Sequence, residues 1–161
     1  MLHALCDLPS DVGLLVVGNT SQKETYQVVC EALGISARVE FLGALPDLHL
    51  AYFAADVLAH PTLEDSYGMV VLEAMAHGLP VVVSCSDYCG IAADLEHGKN
   101  ALLLQDPRDV QEVRQALRRV LYDESLAQTL ARTAAQLVTR NSWDSAAKAY
   151  GRIYQRLVAL T

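Results

Sequence analysis

The chain has 161 residues, of which 52% are hydrophobic and 19% charged, and its formal net charge is −7 at pH 7. These values are typical of a soluble globular protein, and the length suits one domain with a full core. The negative charge and scattered basic residues exclude nucleic acid as the main partner, and no apolar run reaches the roughly 20 residues that a transmembrane helix needs.

Short β-type runs alternate with helical patterns in the first part of the chain, which indicates parallel βαβ units. The first twelve residues resemble the end of a helix. The patterns that follow predict a strand at 14–19, a helix at 21–34, a strand at 39–43, a short helix at about 47–54 and a strand at 56–61.

The alternation continues in the second part of the chain. A helix at about 68–77 ends at Gly78, with Pro80 beyond it as a common stop signal. The remaining patterns predict a strand at 79–84, a loop and short helix at 86–98, a strand at 101–106 and helices at 107–122, 124–138 and 143–160. Five strands flanked by helices predict an α/β fold with a Rossmann-like, doubly wound parallel sheet, and Trp143 is expected in the core.

The N-terminal pattern bears on domain organisation. A helix end leads directly into the first strand, whereas a complete open sheet would have another strand before that helix. We therefore expect the chain to be part of a longer protein. The sequence contains no internal repeat or low-complexity tract, and its first residues are not expected to act as a signal peptide.

The cysteines lie at positions 6, 30, 85 and 89, a spacing that does not indicate a disulfide framework. We expect buried or half-buried thiols in a reducing cytoplasm. Cys85 and Cys89 lie near His77 and His97 in the sequence, but the C-x3-C spacing is not that of a zinc knuckle. No metal site is predicted.

Residues 60–80, HPTLEDSYGMVVLEAMAHGLP, contain the most informative pattern. Asp65 and Glu73 are separated by seven residues and lie on either side of a predicted helix start. The helix is apolar nearly all round, so it is predicted to be buried. Glu73 would then be a buried carboxylate that requires a hydrogen-bonding partner.

The turn before this helix is suited to an anionic ligand, because ligands of open α/β sheets bind at the carboxyl ends of the strands. Gly68 permits close approach to the backbone, and the N–H groups of residues 67–70 point out of the helix start. A ligand with a diphosphate at this turn, a diol near Glu73 and a second polyol near Asp65 would have the chemical groups of a nucleotide sugar. A structural role is equally compatible: Asp65 or Ser66 as a helix cap, and Glu73 as a partner of the helix dipole.

The segment HPTLEDSYGMVVLEAMAHGLPVV closely resembles the donor-site signature of retaining glycosyltransferases with the GT-B fold, Pro-Ser-x-x-Glu-x-Phe-Gly-x-x-x-x-Glu-Ala-x-Ala-x-Gly-x-Pro-Val. The segments VGNT, VEFLGALPDLHLAYFAADV and GKNALLLQDP extend the resemblance over most of the chain. It implies that residues 1–161 are the donor-binding, C-terminal half of a GT-B fold, without the N-terminal acceptor half. The Cys89-Gly90 turn is similar to that of the lipopolysaccharide-core glucosyltransferases.

The resemblance also implies roles for individual residues. Glu73 matches the acid that binds the donor ribose, and Asp65 matches the acid that contacts the transferred sugar, here taken as the catalytic residue. The backbone segment that holds the sugar and diphosphate corresponds to Tyr67, Gly68 and Met69, and the nucleobase is expected near Gly43. Asp65 is one methylene shorter than the usual Glu, so either Glu64 compensates or the sugar preference differs. The turn at Gly18 either approaches the diphosphate or only ends a strand.

The implied activity is that of a hexosyltransferase-type enzyme that acts with retention of configuration. It would move a sugar from a UDP- or GDP-sugar to a glycan or lipid-linked acceptor in bacterial lipopolysaccharide or surface-glycan biosynthesis. No cofactor and no metal are implied. The family's basic pair and its acceptor-binding domain both precede this chain, so the chain alone is expected to be inactive. The expected location is the cytoplasm, with the inner face of the membrane and peripheral membrane association of the full protein left open.

Two other functions compete with this interpretation. An NAD-dependent dehydrogenase is disfavoured, because the turn after LLVV reads GNTSQK and lacks the G-x-G-x-x-G pattern. A non-catalytic nucleotide-sugar-binding or scaffolding module of the same fold is compatible with aspartate at position 65. His60 is interpreted as a ligand contact or a packed imidazole, and Tyr67 as a sugar-stacking ring or a helix staple. His77 is interpreted as a partner of the helix C-terminus in preference to a catalyst.

Overall fold

The computed structural model describes residues 1–19 and 21–159. In the first part of the chain the elements are α1 (Leu2–Cys6), β1 (Leu14–Val17), α2 (Lys23–Ala32), β2 (Val39–Leu42) and α3 (His49–Ala54). They are followed by β3 (Leu58–His60), α4 (Met69–Ala76), β4 (Val81–Ser84), β5 (Leu102–Leu104), α5 (Val110–Tyr122), α6 (Glu124–Arg140) and α7 (Trp143–Val158). A 3-10 helix at Gly90–Asp94 corresponds to the short helix expected within 86–98, so each predicted strand and helix has a counterpart. The predicted end of the last helix at residue 160 lies outside the described residues.

All five strands are parallel, as predicted, but their hydrogen bonds join them in two groups. Strand β1 pairs with β2, with Leu14 opposite Val39. Strand β4 lies between β3 and β5, with Leu58 opposite Val81 and Val82 opposite Leu102. The expected continuous five-stranded sheet is thus divided into a two-stranded and a three-stranded part among the described residues. The α/β class is confirmed.

Strand β4 is the centre of the core, because all four of its residues are buried. Its alternate side chains enter two hydrophobic clusters, as the two-residue period of a strand requires. Val81 and Val83 pack with residues of α4, whereas Val82 packs with residues of α1, α5 and β5. Helices therefore cover both faces of the sheet, which is the doubly wound arrangement.

Helix α4 departs from the prediction that it is buried all round. Val71, Leu72, Ala74 and Met75 are buried. Glu73 is exposed, together with Met69 one turn before it. Positions four residues apart share a helix face, and this face of α4 is turned to solvent while the opposite face covers β4. The prediction that Glu73 is a buried carboxylate was wrong.

The last helix also differs from the prediction. Trp143 was expected in the core, yet it is 82% exposed, and α7 contains no buried residue. The half-buried positions near its start are the small residues Ser145, Ala146 and Ala149. The spacing of apolar residues predicted helix α7 correctly. It did not show which face of this helix packs against the rest of the domain.

Two further features bear on the predictions. Cys30, Cys85 and Cys89 are buried thiols and Cys6 is half-buried, as expected. None of the helices in the described part of the chain combines the length and apolar character needed to span a bilayer.

Candidate functional site

The segment between β3 and α4 lies against the turn that follows β4. The Asp65 amide donates to the Tyr88 carbonyl (2.8 Å), and the Gly90 amide donates to the Asp65 carbonyl (3.1 Å). The Ile91 amide donates to the Tyr67 carbonyl (2.7 Å). These bonds join two loops at the carboxyl ends of neighbouring strands, where the sequence placed the site. We call residues 61–68 and 85–91 the loop platform.

Glycines make this close approach possible. Gly68 has φ +90°, and a Cβ atom there would lie 2.8 Å from Cys89 Sγ. A Cβ atom on Gly90 would lie 2.2 Å from the Ser66 carbonyl oxygen. Packing within the loop platform and a left-handed backbone therefore account for Gly68, whereas the sequence had suggested that it gives a ligand access.

The carboxylate of Asp65 is already engaged. Its Oδ2 atom lies 3.0 Å from His60 Nε2, and its Oδ1 atom accepts a hydrogen bond from the Tyr67 amide (3.1 Å). Burial raises the pKa of Asp65, but the hydrogen bonds and charge of His60 and the amides of Tyr67 and Gly68 outweigh it, so the pKa lies below its ordinary value. Asp65 therefore carries a negative charge at neutral pH.

The amides at the start of α4 fall into two sets. The Tyr67 amide is bonded to Asp65 and the Gly68 amide also faces that carboxylate, so the expectation that both are free was wrong. Within the described residues, the amides of Met69 and Val70 have no recorded acceptor. These two N–H groups lie at the positive end of the helix dipole and can receive an anion.

Glu73 lies one turn after Met69 on the exposed face of α4. Its Oε2 atom accepts a hydrogen bond from the Tyr52 hydroxyl at 2.8 Å. Burial raises the pKa of Tyr52, and the bond and charge of Glu73 raise it further, so this phenol remains a donor at neutral pH. The partner of Glu73 is thus a neutral hydroxyl, and the other carboxylate oxygen has no hydrogen bond to the described residues.

A histidine cluster adjoins Glu73 at the end of α4. His77 Nδ1 lies 2.7 Å from the Glu73 carbonyl oxygen, and its Nε2 atom is hydrogen-bonded to His49 Nδ1. The Tyr52 ring stacks on His77 with 4.8 Å between ring centroids. His77 therefore contacts the C-terminal part of the helix, as predicted.

Gly18 and Gly43 lie at the carboxyl ends of β1 and β2. The Gly18 amide donates to the Leu42 carbonyl (3.3 Å), and Gly18 has φ +130°. Apart from each glycine and its chain neighbours, no heavy atom of the described residues lies within 4 Å of a Cβ built on either glycine. Among the described residues, no recorded hydrogen bond joins these turns to Asp65 or Glu73, so the predicted site residues form two groups, one on each strand group.

The sequence interpretation missed Tyr52 and the role of Cys89. Tyr52 contacts Glu73 from a helix 21 residues earlier, so no local spacing signals it. The ligand atoms of Cys89, His60 and Asp65 lie within 4.8 Å of one another, which is close enough for the three side chains to bind one metal ion together. Burial and the charge of Asp65 raise the pKa of the Cys89 thiol, and its Sγ donates to the Tyr67 carbonyl (3.7 Å), which favours a hydrogen-bonded thiol.

The chain resembles several known proteins. The family model described as "Glycosyl transferases group 1" matches residues 1–137. The chain is 36% identical over 155 residues to the D-inositol 3-phosphate glycosyltransferase of Corynebacterium urealyticum, covering 95% of this chain and 34% of that protein. It is 28% identical to the lipopolysaccharide glucosyltransferase WaaG of Escherichia coli, covering 83% of this chain and 36% of that protein. The chain thus spans a little over a third of the length of these curated relatives.

A solved structure supports the same likeness. Anabaena Alr3699/HepE, crystallised in complex with UDP-glucose, matches with a TM-score of 0.83 and 27% sequence identity. The match covers 98% of this chain and 44% of that chain.

Proposed function

The chain belongs to the group 1 glycosyl transferases, and from this premise we propose that it is the nucleotide-sugar donor-binding domain of a retaining enzyme. In this proposal residues 1–161 are the C-terminal half of a GT-B fold. The enzyme transfers a sugar from a nucleotide-diphosphate sugar to a glycan or lipid-linked acceptor. The acceptor is bound by another domain of the longer protein.

One arrangement carries the proposal: two acids lie on either side of a helix start whose backbone N–H groups can donate hydrogen bonds to a ligand. Asp65 lies before α4, and Glu73 lies on its exposed face. Between them the amides of Met69 and Val70 have no acceptor in the described part of the chain. A diphosphate on these amides would have one acid on the side of the ribose and one on the side of the sugar. The Anabaena relative was crystallised in complex with UDP-glucose, which supports a nucleotide sugar as the class of ligand.

Each residue then has a defined chemical task. Glu73, held at one oxygen by Tyr52, accepts hydrogen bonds from the ribose hydroxyls through the other. Asp65 contacts the transferred sugar and is the catalytic residue of the proposal. The amides and the helix dipole stabilise the charge that develops on the leaving diphosphate, so the mechanism requires no metal or other cofactor. Gly43 lies near the base and Gly18 near the diphosphate.

The relatives carry different acceptor names, lipopolysaccharide for one and inositol phosphate for another. We place this chain with enzymes of bacterial lipopolysaccharide or surface-glycan assembly. They would act in the cytoplasm or at the inner face of the membrane.

A specific observation favours a second candidate, a non-catalytic binding module of the same fold. Both Asp65 oxygens already have protein partners, His60 and the Tyr67 amide. A carboxylate with only this structural role would hold the loop platform in place without contacting a sugar.

Calorimetric titration of the chain with UDP, GDP and ADP tests nucleotide binding. We expect preference for one nucleoside diphosphate and a loss of about tenfold or more in affinity for Glu73→Ala, because a charged acceptor of hydrogen bonds is removed. Glu31→Ala, which removes an exposed carboxylate from α2, is the matched control and should bind as the wild type does. Equal affinity in the wild type and Glu73→Ala would contradict the proposal.

Comparison of the diphosphate with its sugar conjugate separates the two candidates. If Asp65 contacts the sugar, Asp65→Asn should weaken binding of the nucleotide sugar more than binding of the matching nucleoside diphosphate. A module that uses Asp65 only for structure predicts the same small change for both ligands.

A further inference from the structure

A groove of about 480 Å³ lies between the start of α4 and the corner where α6 leads into α7. Tyr67 and Met69 line one side of it. Arg140, Trp143 and Arg152 line the other side. The groove is within the size range of small-molecule sites and adjoins the helix start at which the donor is proposed to bind.

The charge of this groove is opposite to that of the chain as a whole. The chain has a net charge of −7, yet no aspartate or glutamate lines the groove. Among the described residues, neither Arg140 nor Arg152 has a recorded carboxylate partner, whereas Arg114 pairs with Asp7 at 3.7 Å. Two arginines without a recorded carboxylate partner among the described residues therefore line one concave surface, while the charge of Asp94 acts on Tyr67 at its other side.

The other polar groups of the lining reinforce this preference. The Asn141 side chain can donate from its amide, and its oxygen has no hydrogen bond to the described residues. A guanidinium presents its N–H groups in a planar fork that matches the oxygens of a phosphate. Tyr67 and the exposed Trp143 offer aromatic faces beside these donors. The complementary ligand is an anion with an organic part attached.

We propose that this groove binds a phosphate group, with Arg140 and Arg152 as its cations and with Tyr67 and Trp143 beside the attached organic part. The proposal deepens the proposed function, on which it rests, because Tyr67 and Met69 belong to both surfaces. The phosphate comes either from the diphosphate of the donor or from a separate phosphorylated sugar. Both sources share the chemistry that the arginines recognise.

Titration of the chain with three probes tests the proposal: UDP, glucose 6-phosphate and glucose. Arg140→Gln and Arg152→Gln each remove one cation from the groove. Arg132→Gln removes an exposed arginine from α6 outside the groove and is the matched control. We expect at least one phosphate-bearing probe to lose about tenfold or more in affinity in both groove variants and to bind the control as it binds the wild type. Its wild-type affinity should also fall as salt increases.

The probe that responds identifies the source. Loss of UDP binding alone assigns the groove to the donor diphosphate, and loss of glucose 6-phosphate binding with UDP unchanged assigns it to a phosphorylated sugar. Glucose should not bind at comparable concentrations. Binding that is equal in the groove variants and in the control, or no binding of either phosphate-bearing probe, overturns the proposal.

The same titrations distinguish this inference from the proposed function. Arginine-dependent binding of glucose 6-phosphate by a chain that binds no nucleoside diphosphate would support the groove and contradict the donor site. UDP binding that depends on Glu73 but on neither groove arginine, together with no arginine-dependent binding of glucose 6-phosphate, would support the donor site and contradict the groove.

Discussion

At the scale of single residues, the length of the Asp65 side chain decides what its carboxylate touches. The short side chain folds back so that Oδ1 accepts from the Tyr67 amide two residues later, while Oδ2 meets His60. Aspartate forms such local turns readily, whereas glutamate carries its carboxylate one methylene farther from the backbone. The family signature that the chain resembles has glutamate here. A sugar hydroxyl would therefore have to share an oxygen that already has a protein partner.

The pKa of Asp65 gives a prediction about stability. A carboxylate whose pKa is lowered on folding stabilises the protein above its ordinary pKa of 3.8, and that contribution is lost as pH falls below this value towards the lower pKa of the folded state. Asp65→Asn should therefore be less stable than the wild type at neutral pH, by on the order of 1 kcal/mol, since the Asp65 carboxylate and its His60 contact are partly exposed. The difference should shrink below about pH 4. Urea denaturation over a pH series measures it.

Asp87→Asn is the control for this measurement, because Asp87 is an exposed carboxylate in the turn after β4. Its stability relative to the wild type should change little over the same pH range. If the difference between Asp65→Asn and the wild type stays constant down to the most acidic pH, the lowered pKa is contradicted.

The sequence predicted the positions of the two acids better than their contacts. The positions of Asp65 and Glu73 around a helix start follow from local spacing, and the structure places them there. The partner of Glu73 does not follow from spacing, because Tyr52 comes from another helix. The exposure of Glu73 also could not be predicted, since an apolar helix composition does not show which face the sheet covers. Trp143 was misassigned for the same reason.

At the scale of elements, the loop platform depends on two segments that pack closely at two glycines, Gly68 against side chains and Gly90 against backbone. Gly68 faces Cys89 and Ile91, and Gly90 faces the Ser66 carbonyl. The sequence pattern identified Gly68 as special. It gave no signal that the turn at Gly90 is the surface against which the Asp65 segment packs, because this contact joins residues more than twenty positions apart.

Alanine at Gly68 should separate backbone strain from steric overlap. Gly98 also has a positive φ (+75°), but no described residue other than its chain neighbours lies within 4 Å of a Cβ there. Gly98→Ala therefore measures backbone strain alone, about 1–2 kcal/mol. Gly68→Ala adds the contact with Cys89 Sγ and should cost roughly 1–3 kcal/mol more. The double variant Gly68→Ala/Cys89→Ala removes that sulfur. Gly68→Ala should therefore lower the free energy of unfolding less in the Cys89→Ala background than in the wild type.

Chemical denaturation of these four variants and the wild type gives the free energies of unfolding. Equal losses for Gly68→Ala and Gly98→Ala would mean that the loop platform yields freely to a methyl group. In that case close packing of the two loops could not be the reason for glycine at position 68.

At the scale of the whole molecule, the alternation of strands and helices was enough to predict a parallel, doubly wound α/β fold. Crossover connections through helices bring successive strands into parallel order, so this inference needs no knowledge of individual contacts. The division of the strands into two hydrogen-bonded groups was not predictable, because strand patterns do not name their neighbours. The two groups also differ in burial, and this difference has consequences for local stability.

Amide hydrogen exchange should show two levels of protection. Strand β4 is paired on both sides, and Val81, Val82 and Val83 are at most 1% exposed. Strand β1 pairs only with β2 among the described strands, and Leu15 is 39% exposed. Local opening is less costly where fewer apolar contacts must be broken. We therefore expect amides of β4 to exchange only through global unfolding and those of β1 to exchange at least about tenfold faster.

Exchange followed by NMR at low denaturant concentration measures these levels, because global opening responds to denaturant and local opening responds little. The Val82 and Val83 amides should show the full denaturant dependence, and the Leu15 and Val16 amides a weaker one. The same dependence for both strands would mean that the two strand groups unfold as one cooperative unit. The turns at Gly18 and Gly43 would then be as rigid as the loop platform. With the expected result, the strand group β1–β2, which carries the proposed base-binding side of the site, opens more easily than the other strand group. A nucleotide that contacts both strand groups should then slow amide exchange most in β1.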